Sequence, residues 1–327
     1  VRRGRYLEQP IAAFKPMRFL GEGNYPYPYF QLDLDLDKDG VLRARPRLKK
    51  VISAEKPHSL FSYRGFLFYV SQGKLYLYGG VDSAEIADIG PDETLYYVGI
   101  AHVVYMSNRN WQGIFDFQTF GTRPFPTKEK IVRQFLPDIG VPLEEADFET
   151  LPPLDFLTFH QGRLVGARET TVIFSETGFY EMTRPFYYIE IGEPVTMVAS
   201  ALDTLYVGTK TKTVVVTGPL TNPSYREVPV GAVKGTLAYK AVKGVKIPFW
   251  ATLTSIVAGL PGGEIKPMSK EFFDLRFDTE GKGAAVSSEH DDRVIMSVPQ
   301  APDRAKVTDD FICEVVRKGS VRKALKQ

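Results

Sequence analysis

Cysteine is nearly absent. Cys313 stands alone among 327 residues, which excludes an internal disulfide and any zinc site built on two or more thiolates. Its neighbours, Phe311-Ile312-Cys313-Glu314-Val315-Val316, read as a strand in which the thiol packs as a small apolar group. Histidine is scarce as well: His58, His102, His160 and His290 are scattered, with neither H-x-x-x-H nor H-E-x-x-H spacing, and each is expected to be packed or solvated. No stretch approaches the ~18 to 20 apolar residues of a membrane span. Neither sign of charge dominates. Lys plus Arg number 41 against 39 Asp plus Glu, a formal charge of +2 that draws the chain to neither nucleic acid nor anionic lipid. The basic start, Val1-Arg2-Arg3-Gly4-Arg5, has no apolar run behind it to make a signal peptide; the first residue is not Met, which leaves processing and export open. Helical periodicity is almost missing, and Lys128 to Leu136 is the one segment that would make helical turns.

What is present points to an all-β chain. Hydrophobic residues at 43% and charged residues at 24% suit a globular protein with a large core and exclude a disordered, collagenous or coiled-coil one. Aromatics at 13%, with 28 Gly and 23 Pro spread throughout, are the usage of short strands and turns. The segment Phe30 to Asp37 alternates apolar and polar residues, Lys38-Asp39-Gly40 turns it, and Val41 to Arg47 returns. Hairpins then recur, starting at Leu67, Val103, Leu164, Leu205 and Ile256, with a weaker sixth at Ala284. The five strong ones are spaced by 36, 61, 41 and 51 residues, near the ~40 to 50 of a four-stranded propeller blade. The expected organisation is an extended arm over 1–29, one β-propeller-like body of about six divergent blades over 30–300, and a C-terminal strand with a basic tail over 301–327. The stretch 119–153, rich in Pro and charge, is expected as an insertion loop in that body. Tandem β-sandwich or barrel domains are the structural alternative.

Each chemical motif has a plainer structural reading. Asp35-Leu36-Asp37-Lys38-Asp39-Gly40 opens like a calcium loop, but Pro46 stands where the closing bidentate Glu is needed, so a hairpin is expected and no metal. Ser288-Glu289-His290-Asp291-Asp292 crowds triad residue types into one segment; triad members converge from separate loops, so this reads as a polar hairpin tip. Arg43, Arg45 and Arg47 share one strand face, with Lys49 and Lys50 beyond, and read as a charged edge or a phosphate contact. Arg317, Lys318, Arg322, Lys323 and Lys326 form a second basic cluster, expected as a tail ordered only by a partner. Glu144 and Glu145 lie in the insertion, and Gly259, Gly262 and Gly263 fit a turn rather than a phosphate cradle. No catalytic residue, cofactor or metal is expected. Asparagine, confined to Asn24, Asn108, Asn110 and Asn222, hints at a thermophilic host.

The order of segments resembles tailed-bacteriophage virion proteins of the β-propeller neck, nozzle or tail-hub kind. The resemblance runs from the Asp-x-Asp-x-Asp-Gly strand and the Arg43 to Arg47 strand through His58-Ser59-Leu60-Phe61. It continues through His160-Gln161-Gly162-Arg163-Leu164-Val165-Gly166, Phe174-Ser175-Glu176, Pro194-Val195-Thr196-Met197-Val198 and Leu205-Tyr206-Val207-Gly208-Thr209. Gly231-Ala232-Val233-Lys234-Gly235-Thr236 and Leu260-Pro261-Gly262-Gly263-Glu264-Ile265 close it, so that it spans most of residues 30–270. These are strand and turn signatures and carry no active site; the short, strand-poor insertion departs from the pattern. The resemblance implies a non-enzymatic virion protein, made in the host cytoplasm, that forms part of the genome-exit conduit as a ring of its own copies beside other neck or tail proteins. DNA would be a transient passenger, and no membrane insertion is expected. Tyr25, Tyr27, Tyr29, Arg43, Arg45 and Arg47 are the expected partner contacts. The alternatives are a carbohydrate or receptor binder using exposed aromatics such as Tyr25, Tyr27, Tyr29 and Trp111, and, more remotely, a glycoside hydrolase.

Overall fold

Short apolar runs cut by polar turns fold as strands throughout this computed structural model, which describes residues 34–36, 42–44, 52–91, 93–127, 148–242, 244–268, 283–288, 293–299, 310–315 and 321–325. No helix occurs among the described residues. Strands β1 (Leu34–Leu36) and β2 (Leu42–Ala44) form the expected first hairpin, with Asp35 opposite Arg43. Six four-stranded antiparallel sheets follow. The first holds β3 (His58–Tyr63), β4 (Phe66–Ser71), β5 (Lys74–Tyr78) and β6 (Ser83–Asp88). The second holds β7 (Tyr96–Ile100), β8 (Val103–Ser107), β9 (Gln112–Asp116) and β10 (Gly121–Arg123). After β11 (Glu149–Thr150), the third holds β12 (Asp155–His160), β13 (Arg163–Arg168) and β14 (Thr171–Phe174). Short β15 (Met182–Thr183) pairs back with β11, and β16 (Tyr188–Glu190) completes the third sheet. The fourth holds β17 (Val195–Ala201), β18 (Thr204–Thr209), β19 (Thr213–Thr217) and β20 (Ser224–Val228). The fifth holds β21 (Ala238–Val242), β22 (Val245–Ala251), β23 (Ile256–Gly259) and β24 (Ile265–Pro267). The sixth holds β25 (Ala284–Ser288), β26 (Arg293–Pro299), β27 (Asp310–Val315) and β28 (Val321–Leu325).

The core is a series of apolar layers, one between each sheet and the next. Phe68, Leu75, Val104 and Phe115 fill the first interface; Tyr105, Ile114, Leu157 and Leu164 fill the second. Val165, Phe174, Val198 and Val207 fill the third, Met197, Tyr206, Val215 and Trp250 the fourth, and Phe249, Ala258 and Met296 the fifth. Strand alternation explains how one sheet serves two layers. Leu205 and Val207 face the third sheet while Tyr206 between them faces the fifth, so β18 is buried along its whole length. Outermost strands lack this second cover: β6 and β20 are mostly exposed and polar.

Two ends of the body follow from the meanders. The first-to-second and third-to-fourth hairpins of every sheet lie at one end, the hairpin end. The middle hairpin and the passage to the next sheet lie at the other, the crossover end. Bonds between sheets keep these ends in step. At the hairpin end Tyr63 Oη donates to the Ala101 carbonyl at 2.9 Å, Gln161 Nε2 to the Gly218 carbonyl at 3.0 Å, and Gly262 N–H to Asp203 Oδ1 at 3.2 Å. At the crossover end Leu154 N–H donates to Ser107 Oγ at 2.8 Å and Ala232 N–H to the Thr209 carbonyl at 2.8 Å. Three of the tight turns, Arg64-Gly65, Gln72-Gly73 and Gln161-Gly162 (φ 48° and 75° in the last), are X-Gly pairs with both residues left-handed, the geometry that matches strand twist.

Three expectations need correction. The hairpin beginning at Ile256 joins the third and fourth strands of its sheet, whereas the four before it join second to third. The true equivalent of Leu205 lies in β22, whose apolar pattern is masked by Lys246 and Pro248. The basic residues expected as a tail fall partly in β28, where Arg322 pairs with Glu314 and Lys323 with Cys313. Within 119–153, β10 completes the second sheet and β11 pairs with β15, so both flanks are structural; the helical turns expected from Lys128 to Leu136, together with Glu144 and Glu145, lie outside the described residues.

Candidate functional site

Of the residues nominated as partner contacts, Arg43 alone lies among the described residues. Tyr25, Tyr27, Tyr29, Arg45 and Arg47 lie outside the described residues, as do Asp37, Asp39 and His290; Arg43 sits in β2 opposite Asp35. Among the described residues no group of three or more metal-ligating side chains converges. Trp111, nominated as an exposed platform, is half-buried: it packs on the first apolar layer and covers Gly113, where an added Cβ would lie 2.4 Å from its ring. The first two histidines are engaged locally, His58 Nδ1 with Ser59 Oγ at 2.8 Å and His102 Nε2 with Asp116 at 3.9 Å.

A polar network crosses three sheets on their first strands. His160 of β12 is 2% exposed and its Nδ1 lies 2.9 Å from Ser200 Oγ of β17. Ser200 N–H donates to Tyr239 Oη of β21 at 3.1 Å, and the same hydroxyl meets Thr158 Oγ1 of β12 at 3.3 Å. Burial lowers the His160 pKa to about 4, opposed by the Asp203 carboxylate. Serine, histidine and aspartate thus approach one another without forming a catalytic triad. Asp203 is spent on the Gly262 N–H and the Thr204 hydroxyl at 3.1 Å, which hold it ionised below the usual carboxylate range. A histidine kept neutral so far below pH 7 is a weak base, and the geometry makes the network a pin between sheets. The expectation of a packed histidine holds for His160; its partners Ser200, Tyr239 and Thr158 were hidden because each looks like an ordinary strand residue.

The segments that carry the family resemblance meet one another at the seams. Tyr206 of β18 is fully buried and donates to the Leu260 carbonyl and, at 3.0 Å, to the Glu264 carbonyl, closing the Leu260 to Glu264 turn against the fourth sheet. Arg226 donates to the Gly263 carbonyl of the same turn, where Gly262 and Gly263 take φ of 82° and 89°. Thr196 Oγ1 donates to the Ala232 carbonyl at 2.8 Å, and a Cβ on Gly231 would come within 2.0 Å of the Lys210 carbonyl. Ser175 Oγ accepts the Leu164 N–H at 2.9 Å while its carbonyl accepts from Arg163 at 2.6 Å.

Glu176 anchors the last of these contacts, and its partners Arg184 and Tyr187 line a cleft. Its carboxylate takes Arg184 Nε at 2.7 Å, Arg163 Nη1 at 3.4 Å and Tyr187 Oη at 3.2 Å. Burial alone would raise its pKa, but the Arg184 bond, the Thr177 N–H and the Arg163 charge outweigh it and keep the carboxyl below its usual range. Arg184 also lies over the Phe148 ring at 4.3 Å, clasping the end of the insertion. The adjoining cleft, about 410 Å³, is lined among others by Glu149, Arg168, Thr170, Arg184, Tyr188 and Glu190. Glu190 is held ionised by hydrogen bonds from the Thr170 and Thr171 hydroxyls, the opposite of the raised pKa a glycosidase acid needs.

No protein-family model matches the chain, and no curated protein matches it. Two solved structures of the extracellular domain of one B. thetaiotaomicron protein are similar to it. One, of a hybrid two component system, shares 10% identity over 84% of this chain and 34% of that chain, with a TM-score of 0.52. The other, of a one component system, shares 11% over 83% and 33%, with a TM-score of 0.51. The structure of apo AztD from Citrobacter koseri shares 9% over 84% and 75%, with a TM-score of 0.47. The chain spans about a third of the length of the two B. thetaiotaomicron chains, and at such identities the likeness concerns the all-β fold alone. None of the three is described as a virion protein.

Proposed function

We propose that the chain is a structural component of a tailed-bacteriophage neck or tail, its six sheets acting as the blades of one propeller-like body that joins copies of itself and tail neighbours around the genome-exit path. One observation carries this reading: motifs that resemble such virion proteins bond to each other, Tyr206 to the Leu260 to Glu264 turn and Thr196 and Thr209 to Ala232 between the fourth and fifth sheets, and Arg163 to Ser175 within the third. Residue types that would otherwise invite a catalytic reading are engaged in structural contacts, His160 and Asp203 between sheets and Glu176 with Arg163 within the third. A body so built offers rigidity and surface, which is what a conduit wall needs, and no chemistry. Its near-zero net charge suits a wall that lets phosphate pass, since a basic lining would retain the genome.

Assembly is assigned to the arm, where Tyr25-Pro26-Tyr27-Pro28-Tyr29 alternates stiff prolines with large aromatics and so gives contact area at low ordering cost. Deleting residues 1–29 is expected to leave a folded body that no longer enters rings or joins its tail neighbour, read by size-exclusion chromatography with light scattering. Unchanged assembly after the deletion would defeat that assignment. Tight, salt-sensitive binding of the intact chain to duplex DNA would defeat the conduit. The cleft beside exposed Tyr188 favours a second reading, a carbohydrate binder. Saccharide-dependent tyrosine fluorescence lost in Tyr188→Ala would support it.

A further inference from the structure

Strand register builds the cleft on the third sheet. Arg168 stands opposite Thr171 and Thr171 opposite Glu190, so a cation, a hydroxyl and a carboxylate form one row across β13, β14 and β16. Directly paired side chains share a face, and the next row on that face holds Gly166, Ile173 and Tyr188. Gly166 lies under Leu154, whose Cβ would be 2.7 Å from an added Cβ, which leaves Ile173 and Tyr188 as the apolar part of the lining. Tyr188 is 55% exposed. Glu149 of β11 enters the lining from the segment that follows the insertion. Opposite charges therefore line one cleft without cancelling. Two strand spacings, roughly 10 Å between Cα atoms, separate Arg168 from Glu190. Neither Arg168 nor Glu149 makes an ion pair among the described residues. Glu190 takes the Thr171 hydroxyl at 2.8 Å and the Gly192 N–H at 3.4 Å, and a carboxylate has lone pairs left for a further donor.

An ion of either sign lying over Thr171 would be drawn by one end of the charged row and repelled by the other. An anion would also meet Glu149 and Glu169, while Arg184 is already matched by Glu176 and offers it little. A ligand rich in hydroxyls gains from both ends, because each hydroxyl can donate to a carboxylate and accept from a guanidinium. The row of Ile173 and Tyr188 asks for an apolar face on the same ligand. Hydroxyls around a ring with an apolar C–H face describe a sugar. We propose that this cleft binds an uncharged saccharide, a pyranose ring lying with its C–H face on Tyr188 and Ile173 and its hydroxyls shared between the Arg168 guanidinium and the Glu190 carboxylate. At about 410 Å³ the cleft falls within the range of about 300 to 1,000 Å³ usual for small-ligand sites. This assignment rests on the carbohydrate reading of the cleft and adds the charge class of the sugar and the residues that select it; it is independent of the virion reading.

The test is a printed array of neutral, uronate- or sialate-bearing and amino-bearing oligosaccharides, probed with the biotinylated full chain assembled on streptavidin so that avidity brings weak contacts into range. Binding should be confined to neutral glycans. Titration calorimetry with the best of them should then show a loss of about tenfold or more in Arg168→Ala and in Tyr188→Ala, each of which removes one side of the sugar's contact. Tyr225→Ala, an equally exposed tyrosine on the fourth sheet, should leave the affinity unchanged. Circular dichroism checks the fold; should Tyr188→Ala disturb β16, Arg168→Ala, at an exposed turn, still decides the matter. Binding confined to acidic or amino sugars overturns the proposal and leaves the carbohydrate reading standing. Binding of a neutral glycan that Arg168→Ala and Tyr188→Ala leave intact removes the sugar from this cleft and overturns it too. An array with no glycan bound sinks the carbohydrate reading and the proposal together.

Discussion

Replacing His160 by Asn should remove much of the acid sensitivity of this fold. The imidazole is buried and neutral at pH 7, and burial lowers its pKa from 6.5 to about 4. In the unfolded chain the same ring takes up a proton near pH 6.5. As pH falls the unfolded state binds that proton first, so the stability linked to His160 is whole above pH ~6.5 and is lost progressively from there down to pH ~4. The gap between 6.5 and about 4, at ~1.4 kcal/mol per pH unit, makes the loss about 3 kcal/mol at pH 4. Asn keeps a hydrogen-bonding atom near the position of Nδ1 for Ser200 and has no proton to bind. Urea unfolding at pH 7 and pH 4 would give the stabilities. Carboxylates with lowered pKa, among them Glu176 and Asp203, also cost stability in acid, but they do so in both proteins and largely cancel in the comparison. Wild type should therefore lose about 3 kcal/mol more than His160→Asn between the two pH values. Equal losses would mean that the imidazole is not held neutral between the sheets, and the pin would have no energetic basis.

Tyr206→Phe keeps the ring in its layer but removes the hydroxyl that closes the Leu260 to Glu264 turn, and should cost about 1 to 2 kcal/mol by denaturant unfolding, whereas exposed Tyr225→Phe should cost nothing measurable. Glu176→Gln leaves two arginines short of a carboxylate and should cost about 2 to 3 kcal/mol, much of it absent at high salt if solvent reaches the pair. Gly231→Ala drives a Cβ into the Lys210 carbonyl, which is backbone and cannot step aside, and should destabilise by about 3 kcal/mol or abolish soluble expression. Calcium and then chelator should leave the melting temperature unchanged, because Asp35 is paired in a hairpin; a calcium-dependent rise lost in Asp37→Ala would contradict this.

Much of the fold was legible because it is local. Apolar runs bounded by X-Gly turns, as at Phe66 to Tyr78 with Gln72-Gly73 between its strands, declare both strands and the turn between them. Continuous runs such as Leu205-Tyr206-Val207 and Val214-Val215-Val216 also announce burial on both faces, which the layers on either side of the fourth sheet explain. The fifth sheet was misaligned by one strand because β22 owes its place to packing that pattern alone does not show: Lys246 and Pro248 interrupt it, yet Ile247, Phe249 and Trp250 are buried. Edge strands β6 and β20 gave little signal, since a strand with one solvated face needs no apolar run. The site was less legible still. His160, Ser200 and Tyr239 are far apart in sequence and meet only because their strands are neighbours, and no spacing rule encodes that.

Electron microscopy of the purified full chain, with and without residues 1–29, tests the central claim most directly. The account predicts closed rings of identical propeller-like subunits around an open lumen, lost on deletion of the arm. Dispersed single bodies in both preparations, or a subunit whose sheets split into two separate sandwiches, would contradict it.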